Sequence, residues 1–375
     1  MAEPLSIDTL AVRGGYEPKH GDGISPKIDL STTFHLAGDG DDGKGTAYSR
    51  SDVPAYQVFE RAIADVEGAD HALVLNSGTS AMVALFDELT AGDRLVMTQD
   101  AYFGFYIYAR DTLGARGVTV DFIDFSNLAM VEQAISGAAL AWVETPTNPH
   151  LHVTDLHAVA GICAAHGVRW VADNTFSSPV LTRPIDLGAW AVMESVTKYL
   201  GGHSDVLLGA VASNDADLIA RAEHRRSQIG TQPDAFSCWL ARRGMQTLAL
   251  RVRRQSDTAL RIAQELHAHP KVTRVHYPGL EGDPGHEIAK RQMCGGFGGM
   301  LSFVVTGGKA AANRVTELTK VWVPATSLGS VESLIERRSR WDGDDVVDPA
   351  LLRLSAGIEH PDDLWNDLAQ ALEQI

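Results

Sequence analysis

The stretch Ala191-Val-Met-Glu-Ser-Val-Thr-Lys-Tyr-Leu-Gly-Gly-His-Ser-Asp205 decides what fold and site to expect of this chain. Its first three residues are apolar and predict a buried strand, which a polar turn with flexible glycines follows. Ser195 and Thr197 carry hydroxyls that can bind an anion such as a phosphate. Lys198 is a candidate Schiff-base lysine, a role that requires an amine with a lowered pKa. A lone lysine in a turn is more often a solvated surface residue, so other segments have to decide.

Predicted strands alternate with predicted helices on both sides of this stretch, which indicates an α/β protein with a mostly parallel sheet. The predicted strands comprise residues 72–75, 95–97, 118–123, 140–144, 168–172, 191–193 and 207–212. Candidate functional side chains follow the carboxyl ends of these strands: Ser77, Tyr102, Asn148, Asp173, Ser195 and Lys198. Because ligands of open α/β sheets bind at that edge, the sequence predicts a ligand site there.

Length, charge and cysteine content limit the class of protein. The chain has 375 residues, enough for about two domains, and 45% of them are hydrophobic. A net charge of −16 without a long basic run argues against nucleic acid or a membrane as a partner. Cys163, Cys238 and Cys294 lie far apart and form no CxxC pair, which predicts a reducing, cytoplasmic environment. The histidines lack metal-ligand spacing, so no metal is expected.

Two further segments carry groups suited to a phosphate. Residues 76–80, Asn-Ser-Gly-Thr-Ser, join a predicted strand to the apolar helix 81–89, a geometry that directs backbone N–H groups at an anion. A plain capped helix start explains the same residues equally well. Tyr48 and Arg50 project to one side of an extended segment and could bind a phosphate together, although this signal alone is weak.

Seven segments of the chain share their residues, in order, with one known family. They are residues 48–50, 77–78, 143–149, 171–176, 195–205, 326–332 and 352–359. On these motifs the chain resembles the pyridoxal-phosphate-dependent enzymes of cysteine and methionine metabolism, the cystathionine γ-lyase and γ-synthase group. It is most similar to bacterial cystathionine γ-lyase-like members. The segment around Lys198, with Asp173 upstream, is the most specific part of the resemblance.

The resemblance implies the type I fold of PLP-dependent transferases. That fold has a mostly parallel seven-stranded sheet with helices on both faces and a smaller α+β C-terminal domain. We therefore expect a PLP-binding large domain at residues 46–247 and a C-terminal α+β domain at residues 248–375. Residues 1–45, which have little periodicity, are interpreted as an N-terminal arm that contacts a neighbouring subunit.

The resemblance also implies a role for each matching residue. Lys198 would hold pyridoxal 5'-phosphate covalently, and Asp173 would keep its ring nitrogen protonated. Tyr102 would stack on the ring and act in catalysis together with Lys198. Arg353 would bind the α-carboxylate of the substrate, with Ser327 and Asn148 beside it. The other cofactor contacts would come from Ser77, Gly78, Thr79, Asn148, Thr175, Ser195, Thr197 and, across a subunit boundary, Tyr48 and Arg50.

The activity implied is that of a PLP-dependent lyase in amino-acid metabolism of the transsulfuration type. It would cleave a bond between Cγ and sulfur, or another heteroatom, in a small γ-substituted L-amino acid such as cystathionine or a nonstandard relative. A 2-oxo acid, ammonia and the leaving group would be the products. The expected assembly is a homotetramer in which a dimer is the smallest active unit.

Several departures from the family pattern bear on the substrate. Phe103-Gly104 follows Tyr102 where two glycines are usual, and Thr326 stands where cystathionine-cleaving members often have an acid. Residues 336–341, Glu-Arg-Arg-Ser-Arg-Trp, favour an acidic or unusual distal group, unless they are a solvated basic loop. Two alternatives stay open: a γ-replacement enzyme resembling cystathionine γ-synthase, and a PLP-binding regulator without catalysis.

Overall fold

The chain folds around two sheets. The computed structural model describes residues 5–36, 47–339 and 347–375. The first sheet comprises β1 His71–Leu75, β2 Arg94–Thr98, β3 Thr119–Ile123, β4 Leu140–Glu144, β5 Arg169–Asp173, β6 Ala191–Glu194 and β7 Gly209–Ser213. Its strand order is β1-β7-β6-β5-β4-β2-β3. Strands β2 to β6 run parallel, and β7 is antiparallel to both of its neighbours. The expected seven-stranded, mostly parallel sheet is confirmed.

The central strands are buried along their whole length. Every residue of β4 and β6 is buried, because helices cover both faces of a parallel sheet. This explains why their sequences are nearly continuous apolar runs rather than alternating patterns. The acids that end these two strands, Glu144 and Glu194, are buried as well, 4% and 1% exposed, and lie at the edge where ligands are expected.

The helices pack on both sheets, and polar side chains cap the N-termini of several of them. Their bounds are α1 Ile7–Arg13, α2 Pro54–Glu67, α3 Gly78–Phe86, α4 Phe103–Ile107, α5 Leu128–Ile135, α6 Leu156–His166, α7 Ser178–Leu181, α8 Ala216–Ile229, α9 Ala235–Met245, α10 Leu248–Ala268, α11 His286–Gln292, α12 Gly308–Leu318 and α13 Pro361–Leu372. The helix expected to begin at residue 81 begins at Gly78, because the Ser77 hydroxyl accepts the Ser80 N–H and starts it earlier. Helix α4 continues into a π-helical turn at Tyr108–Leu113.

The second sheet is smaller and mixed. It comprises β8 Val272–His276, β9 Met300–Val305, β10 Val323–Pro324, β11 Leu334–Arg337 and β12 Leu351–Ser355, in the order β10-β11-β12-β9-β8. Helices α10, α12 and α13 contribute apolar side chains to the core beneath it. The expected smaller C-terminal α+β unit is confirmed, although the sequence indicated only β8 and β9 of its five strands.

The N-terminal segment begins with a helix that packs on its own chain. Helix α1 lies against α2 and α10, with Ala11 buried between them. The Gly15 N–H donates to the Asp65 carboxylate at 3.0 Å and fixes the exit from α1. The segment interpreted as an arm is therefore anchored at its start, while residues 37–46 lie outside the described part.

The described helices contain no span that is both long enough and apolar enough to cross a bilayer. Cys163, Cys238 and Cys294 are free thiols, and only Cys294 is exposed. Burial raises the pKa of the Cys163 thiol to about 11, so that this side chain behaves as an inert apolar group.

Candidate active site

A cavity of about 630 Å³ opens at the carboxyl ends of β4, β5 and β6. The N-terminus of α3 forms one wall, and loops of the second sheet form another. The predicted site residues that line it are Ser77, Gly78, Thr79, Tyr102, Asn148, Asp173, Thr175, Ser195, Thr197, Lys198, Ser327 and Arg353. The structure thus brings together all the predicted site residues except Tyr48 and Arg50, which do not line this cavity.

Lys198 follows β6 and reaches toward the second sheet. Its Nζ donates a hydrogen bond of 2.7 Å to the Ser327 hydroxyl. Burial and the nearby charge of Arg353 lower the pKa of Lys198 to about 8, against the opposing effect of Glu336. At pH 7 about a tenth of this amine is therefore uncharged, far more than for an ordinary lysine, and can act as a nucleophile or a base.

Asp173 ends β5 and is 5% exposed, in register with Glu144 of β4. Burial raises its pKa to about 6, although the Thr175 backbone and side chain stabilise the carboxylate. The Thr175 N–H donates to Oδ1 of Asp173 at 3.1 Å and holds the carboxyl in place. A buried acid of this kind is stabilised in its charged form by a cationic partner in the cavity.

The N-terminus of α3 is shaped to receive an anion. The N–H groups of Gly78 and Thr79 belong to its first turn, where no helical carbonyl is available to them. A Cβ added at Gly78 would meet Cβ of Ser195 at 3.0 Å, so the missing side chain lets the two segments approach closely. The Ser195 hydroxyl therefore lies beside the free end of the helix.

Two threonines fix the backbone around Ser195. The Thr175 hydroxyl accepts the Ser195 N–H at 3.0 Å and joins the ends of β5 and β6. The Thr197 hydroxyl donates to the Leu208 carbonyl and accepts the Leu208 N–H, both at 3.1 Å. Thr197 lines the cavity as expected, but its hydroxyl is engaged by the segment that leads into β7.

Tyr102 lies at the mouth of the cavity and is 46% exposed. Its backbone N–H donates to Glu144 at 2.6 Å, and its ring meets Phe105 edge to face at 5.0 Å. A Cβ at Gly104 would approach the Tyr102 ring to 2.8 Å, so this glycine leaves room for the ring. Gly104 is thus the position after Tyr102 at which a side chain would collide with the Tyr102 ring.

An aspartate two residues before Tyr102 joins two loops of the site. Asp100 accepts hydrogen bonds from the Thr147 hydroxyl at 2.6 Å and from His152 Nδ1 at 3.0 Å. Although burial opposes it, these bonds lower the pKa of Asp100, while the same contact raises the pKa of His152. Since Thr147 precedes Asn148, the contact holds the Tyr102 and Asn148 loops in a fixed relation.

Arg353 of β12 is held by residues from both sheets. Its Nη1 donates to Asn148 at 3.0 Å, and its Nη2 donates to the Ser327 carbonyl at 3.0 Å and to Glu336 at 2.7 Å. Arg353 is 4% exposed and Glu336 is 1% exposed, so this ion pair is screened little by water. The guanidinium is therefore fixed where it can meet a carboxylate in the cavity.

The arginines of segment 336–341 take different places. Arg338 lines the cavity and its Nη1 lies 3.3 Å from the Glu336 carboxylate. Arg337 instead donates from Nε to the Asn313 side chain at 2.7 Å and does not line the cavity. Arg340 and Trp341 lie outside the described residues. Within the described part of this segment, Arg338 is the arginine that can act on the distal group of a substrate.

Tyr48 and Arg50 lie on the surface of the chain. Tyr48 is 46% exposed, and the Arg50 guanidinium lies 5.1 Å from the centre of its ring. The two side chains are therefore adjacent, as expected from their spacing, but they do not reach the cavity of their own chain.

Three acidic groups near the site received no role from the sequence. Glu144 holds the Tyr102 backbone, and Glu336 holds Arg353. Glu194, directly before Ser195, lies beside Glu67 of α2, and both are buried. Burial raises the pKa of Glu67 to about 7, and burial with the neighbouring Glu67 raises that of Glu194. Each acid ends or follows an apolar run, which is the only sequence signal that could have marked it.

Known proteins resemble this chain along its whole length. The family described as "Cys/Met metabolism PLP-dependent enzyme" matches residues 8–373. A cystathionine gamma-lyase of Dictyostelium discoideum is 39% identical, with 100% of both chains covered. A cystathionine gamma-synthase of Mycobacterium leprae is 40% identical, covering 98% of this chain and 96% of the relative. The crystal structure of metB from Corynebacterium glutamicum superposes with a TM-score of 0.95 at 40% identity, covering 99% of this chain and 98% of that one.

Proposed function

The chain belongs to the Cys/Met metabolism PLP-dependent enzyme family, and from this premise we propose that it is a lyase that eliminates the γ-substituent of an L-amino acid. The observation that carries the proposal is the cavity that Lys198, Asp173 and Arg353 line together. An amine of lowered pKa, a buried acid and a fixed guanidinium supply a base, a partner for a ring nitrogen and a carboxylate site.

The cofactor of the family is pyridoxal 5'-phosphate, and the cavity residues are suited to it. Asp173, whose pKa burial raises to about 6, gains a partner in a protonated ring nitrogen. The first N–H groups of α3 and the Ser195 hydroxyl suit the phosphate. Lys198 Nζ, with its pKa near 8, suits the aldehyde. The bound cofactor supplies an electron-withdrawing ring that stabilises negative charge at the substrate Cα.

The residues of this chain then have separate tasks in the elimination. Arg353 binds the α-carboxylate and orients Cα toward Lys198. Lys198 Nζ takes the proton from Cα and gives it to the bound cofactor, and the amine, neutral again, takes the proton from Cβ as the γ-substituent leaves. The Tyr102 hydroxyl donates a proton to the departing group. Ser327, which accepts from Lys198 Nζ at 2.7 Å, orients the amine between these transfers.

A γ-replacement reaction is the second candidate, because the mycobacterial synthase is as similar to this chain as the lyase is. Both reactions use the same cofactor residues, and they differ in whether a second substrate attacks Cγ. We favour elimination because segment 336–341 resembles a variant found in bacterial lyase-like members. Arg338 at the cavity supports a substrate with an acidic or otherwise polar distal group.

A substrate panel distinguishes these reactions. The purified enzyme, saturated with cofactor, is incubated with L-cystathionine, L-homocysteine and an O-acylated L-homoserine, each with and without L-cysteine. A lyase releases 2-oxo acid, ammonia and the γ-group in equal amounts without cysteine. A synthase consumes the acylated homoserine mainly when cysteine is present and forms cystathionine. A protein that releases no ammonia from any substrate and forms no cystathionine would be the silent cofactor-binding regulator.

We expect Lys198→Ala to abolish both activity and the visible absorbance of the bound cofactor. The reason is that no other side chain assigned to the cofactor carries an amine that can form the covalent bond. The exposed Lys309 of α12 offers a matched control, since Lys309→Ala removes an amine far from the chemistry. Absorbance spectra and ammonia release measure both variants, and turnover by Lys198→Ala at the wild-type rate would refute the assignment.

We also propose that the active assembly is a homo-oligomer, with a dimer as the smallest active unit and a tetramer as the full state. The exposed Tyr48 and Arg50, which do not line their own cavity, support a role at a neighbouring subunit's phosphate. A cytoplasmic location is proposed from the three unpaired cysteines.

A further inference from the structure

A second cavity, of about 640 Å³, lies apart from the candidate active site. We call it the histidine cavity, and it is lined by His150 and His152 of the loop after β4, by Thr273, Arg274 and His276 of β8, and by the loop 280–285. Its volume equals that of the active-site cavity, which is large enough for a small molecule. No residue that we assign to catalysis or cofactor binding lines it.

His276 is the most informative group of this cavity. It is 7% exposed, and its ring has no hydrogen-bond partner within residues 5–36, 47–339 and 347–375. Its ring nitrogens are not sealed from solvent, so they are accessible from the cavity. The ring therefore lines the cavity with nitrogens that an occupant can bind by hydrogen bonds.

The electrostatic potential at His276 is positive. Burial and then the charges of Arg274, His150 and His152 lower the pKa of His276 to about 3. No acidic group contributes to that shift. The three imidazoles are close together, with the His150 ring centre 5.5 Å from that of His152 and 5.6 Å from that of His276.

The acidic groups lie toward the other end of the cavity. Asp100 accepts a hydrogen bond from His152 at 3.0 Å, and its carboxylate also lies 3.9 Å from His150 Nδ1. Asp283 raises the pKa of His152 and accepts the Gly285 N–H at 2.8 Å. Glu281, in the loop 280–285, also lines the cavity. The cavity therefore has a positive end at β8 and an acidic end near His152. A metal ion is disfavoured, because no group of three suitable ligands occurs in the described ranges.

We propose that the histidine cavity binds a small molecule through one anionic group, a carboxylate or a phosphate, that contacts His276, His150 and Arg274. An anion there accepts hydrogen bonds from the imidazole N–H groups and the guanidinium. A cationic group elsewhere on the same ligand suits the acidic end.

The test uses holoenzyme with its cofactor site filled, so that the phosphate cradle of α3 is not available. The two probes are inorganic phosphate, followed by ³¹P line broadening, and acetate, followed by saturation transfer from protein protons. Binding of one probe rather than the other identifies the preferred anion. Failure of the wild-type protein to bind either probe overturns the proposal.

Two variants of the histidine cavity and two controls locate the binding. We expect His276→Asn and Arg274→Gln each to weaken binding of the preferred probe about tenfold, as loss of one charge-assisted contact implies. His166→Asn, a substitution of a histidine outside the cavity, should bind as wild type does. Arg353→Lys should also retain binding, since it changes only the substrate site.

Each outcome of this comparison is decisive. Unchanged affinity in both cavity variants, or loss of binding in Arg353→Lys, overturns the proposal and assigns the anion to another place. Cofactor absorbance and melting temperature verify that each variant is folded. If His276→Asn does not fold, the more exposed Arg274→Gln still carries the test.

Discussion

At the scale of single residues, buried charges set the chemistry of Lys198. Burial and Arg353 lower its pKa, while Glu336 limits the shift and also holds Arg353. The pKa of the amine is thereby kept closer to neutral pH, where the group can both lose and gain a proton. The Ser327 residue that accepts its hydrogen bond has a φ of 79°, a left-handed conformation that a non-glycine residue adopts at an energetic cost.

The paired acids Glu67 and Glu194 lead to a prediction about pH and stability. Burial raises the pKa of Glu67 from 4.5 to about 7, and that of Glu194 is also raised. A carboxyl whose folded-state pKa is raised favours folding when protonated, so its contribution is lost as pH rises above about 4.5 toward 7. We therefore expect Glu194→Gln, which removes one of the two buried carboxylates, to stabilise the protein at pH 8 and to do so much less at pH 5.

Melting temperatures of holoenzyme at the two pH values measure this effect. Glu317→Gln on the exposed face of α12 is the matched control, and its melting temperature should differ little from wild type at either pH. An equal shift for Glu194→Gln at both pH values would contradict the interpretation of the pair.

Sequence reasoning located Lys198, Asp173 and Asn148 because each lies within a few residues of the end of an apolar strand, and parallel strands bring their carboxyl ends together. It gave Glu144 and Glu336 no role, because their partners are distant in sequence. Glu144 meets the Tyr102 backbone from 42 residues away, and Glu336 meets Arg353 from 17 residues away. A charged residue in a sequence does not reveal which partner will neutralise it.

At the scale of elements, β7 and α3 meet without space for a side chain. A Cβ at Gly209, the first residue of β7, would lie 2.2 Å from the Ser77 carbonyl oxygen and 2.6 Å from the Gly78 nitrogen. Both are backbone atoms and cannot rotate away. We expect Gly209→Ala to displace the start of α3 and to weaken cofactor binding by at least about tenfold, measured by absorbance titration of apoenzyme.

Gly161 of α6 provides the opposite case. A Cβ there meets nothing within 4 Å, and the position is helical. Gly161→Ala should therefore stabilise the protein by about 0.5–1 kcal/mol and leave cofactor affinity as it is. Wild-type cofactor affinity in Gly209→Ala would show that α3 does not need its close contact with β7.

The buried parallel strands are the elements that the sequence predicted best, because continuous apolar runs are typical of strands that helices cover on both faces. The strands β11 and β12 were not predicted, because charged residues interrupt them: Glu336 in one and Arg353 in the other. These two residues are paired in the register of the antiparallel strands, so each charge is neutralised inside the sheet. A buried charge in so short a strand interrupts the apolar run by which sequence identifies a strand.

At the scale of the whole molecule, Tyr48 and Arg50 are exposed together and away from their own cavity. If they complete the site of a neighbouring subunit, two inactive variants should complement each other. We expect co-expression of Lys198→Ala with Arg50→Ala to recover roughly a quarter of wild-type activity, since half of randomly formed dimers are mixed and each has one intact site.

Ammonia release by the co-purified mixture, compared with each variant alone, measures the recovery. A mixture no more active than the sum of the separate variants would place Arg50 outside the neighbouring site. The strands of the first sheet could be predicted from local apolar runs, whereas the assembly was predicted from the family resemblance alone. Exposed residues have the same composition at an interface as elsewhere on many surfaces.

The position of Arg353 has a consequence for recombining this enzyme with its relatives. Asn148 comes from the part of the chain that contains the first sheet, whereas Ser327 and Glu336 come from the part that contains the second. A chimera that joins the N-terminal part of one family member to the C-terminal part of another inherits only some of these contacts. Such hybrids should still bind the coenzyme, because most of its contacts come from one parent. Their affinity for amino-acid substrates should fall first.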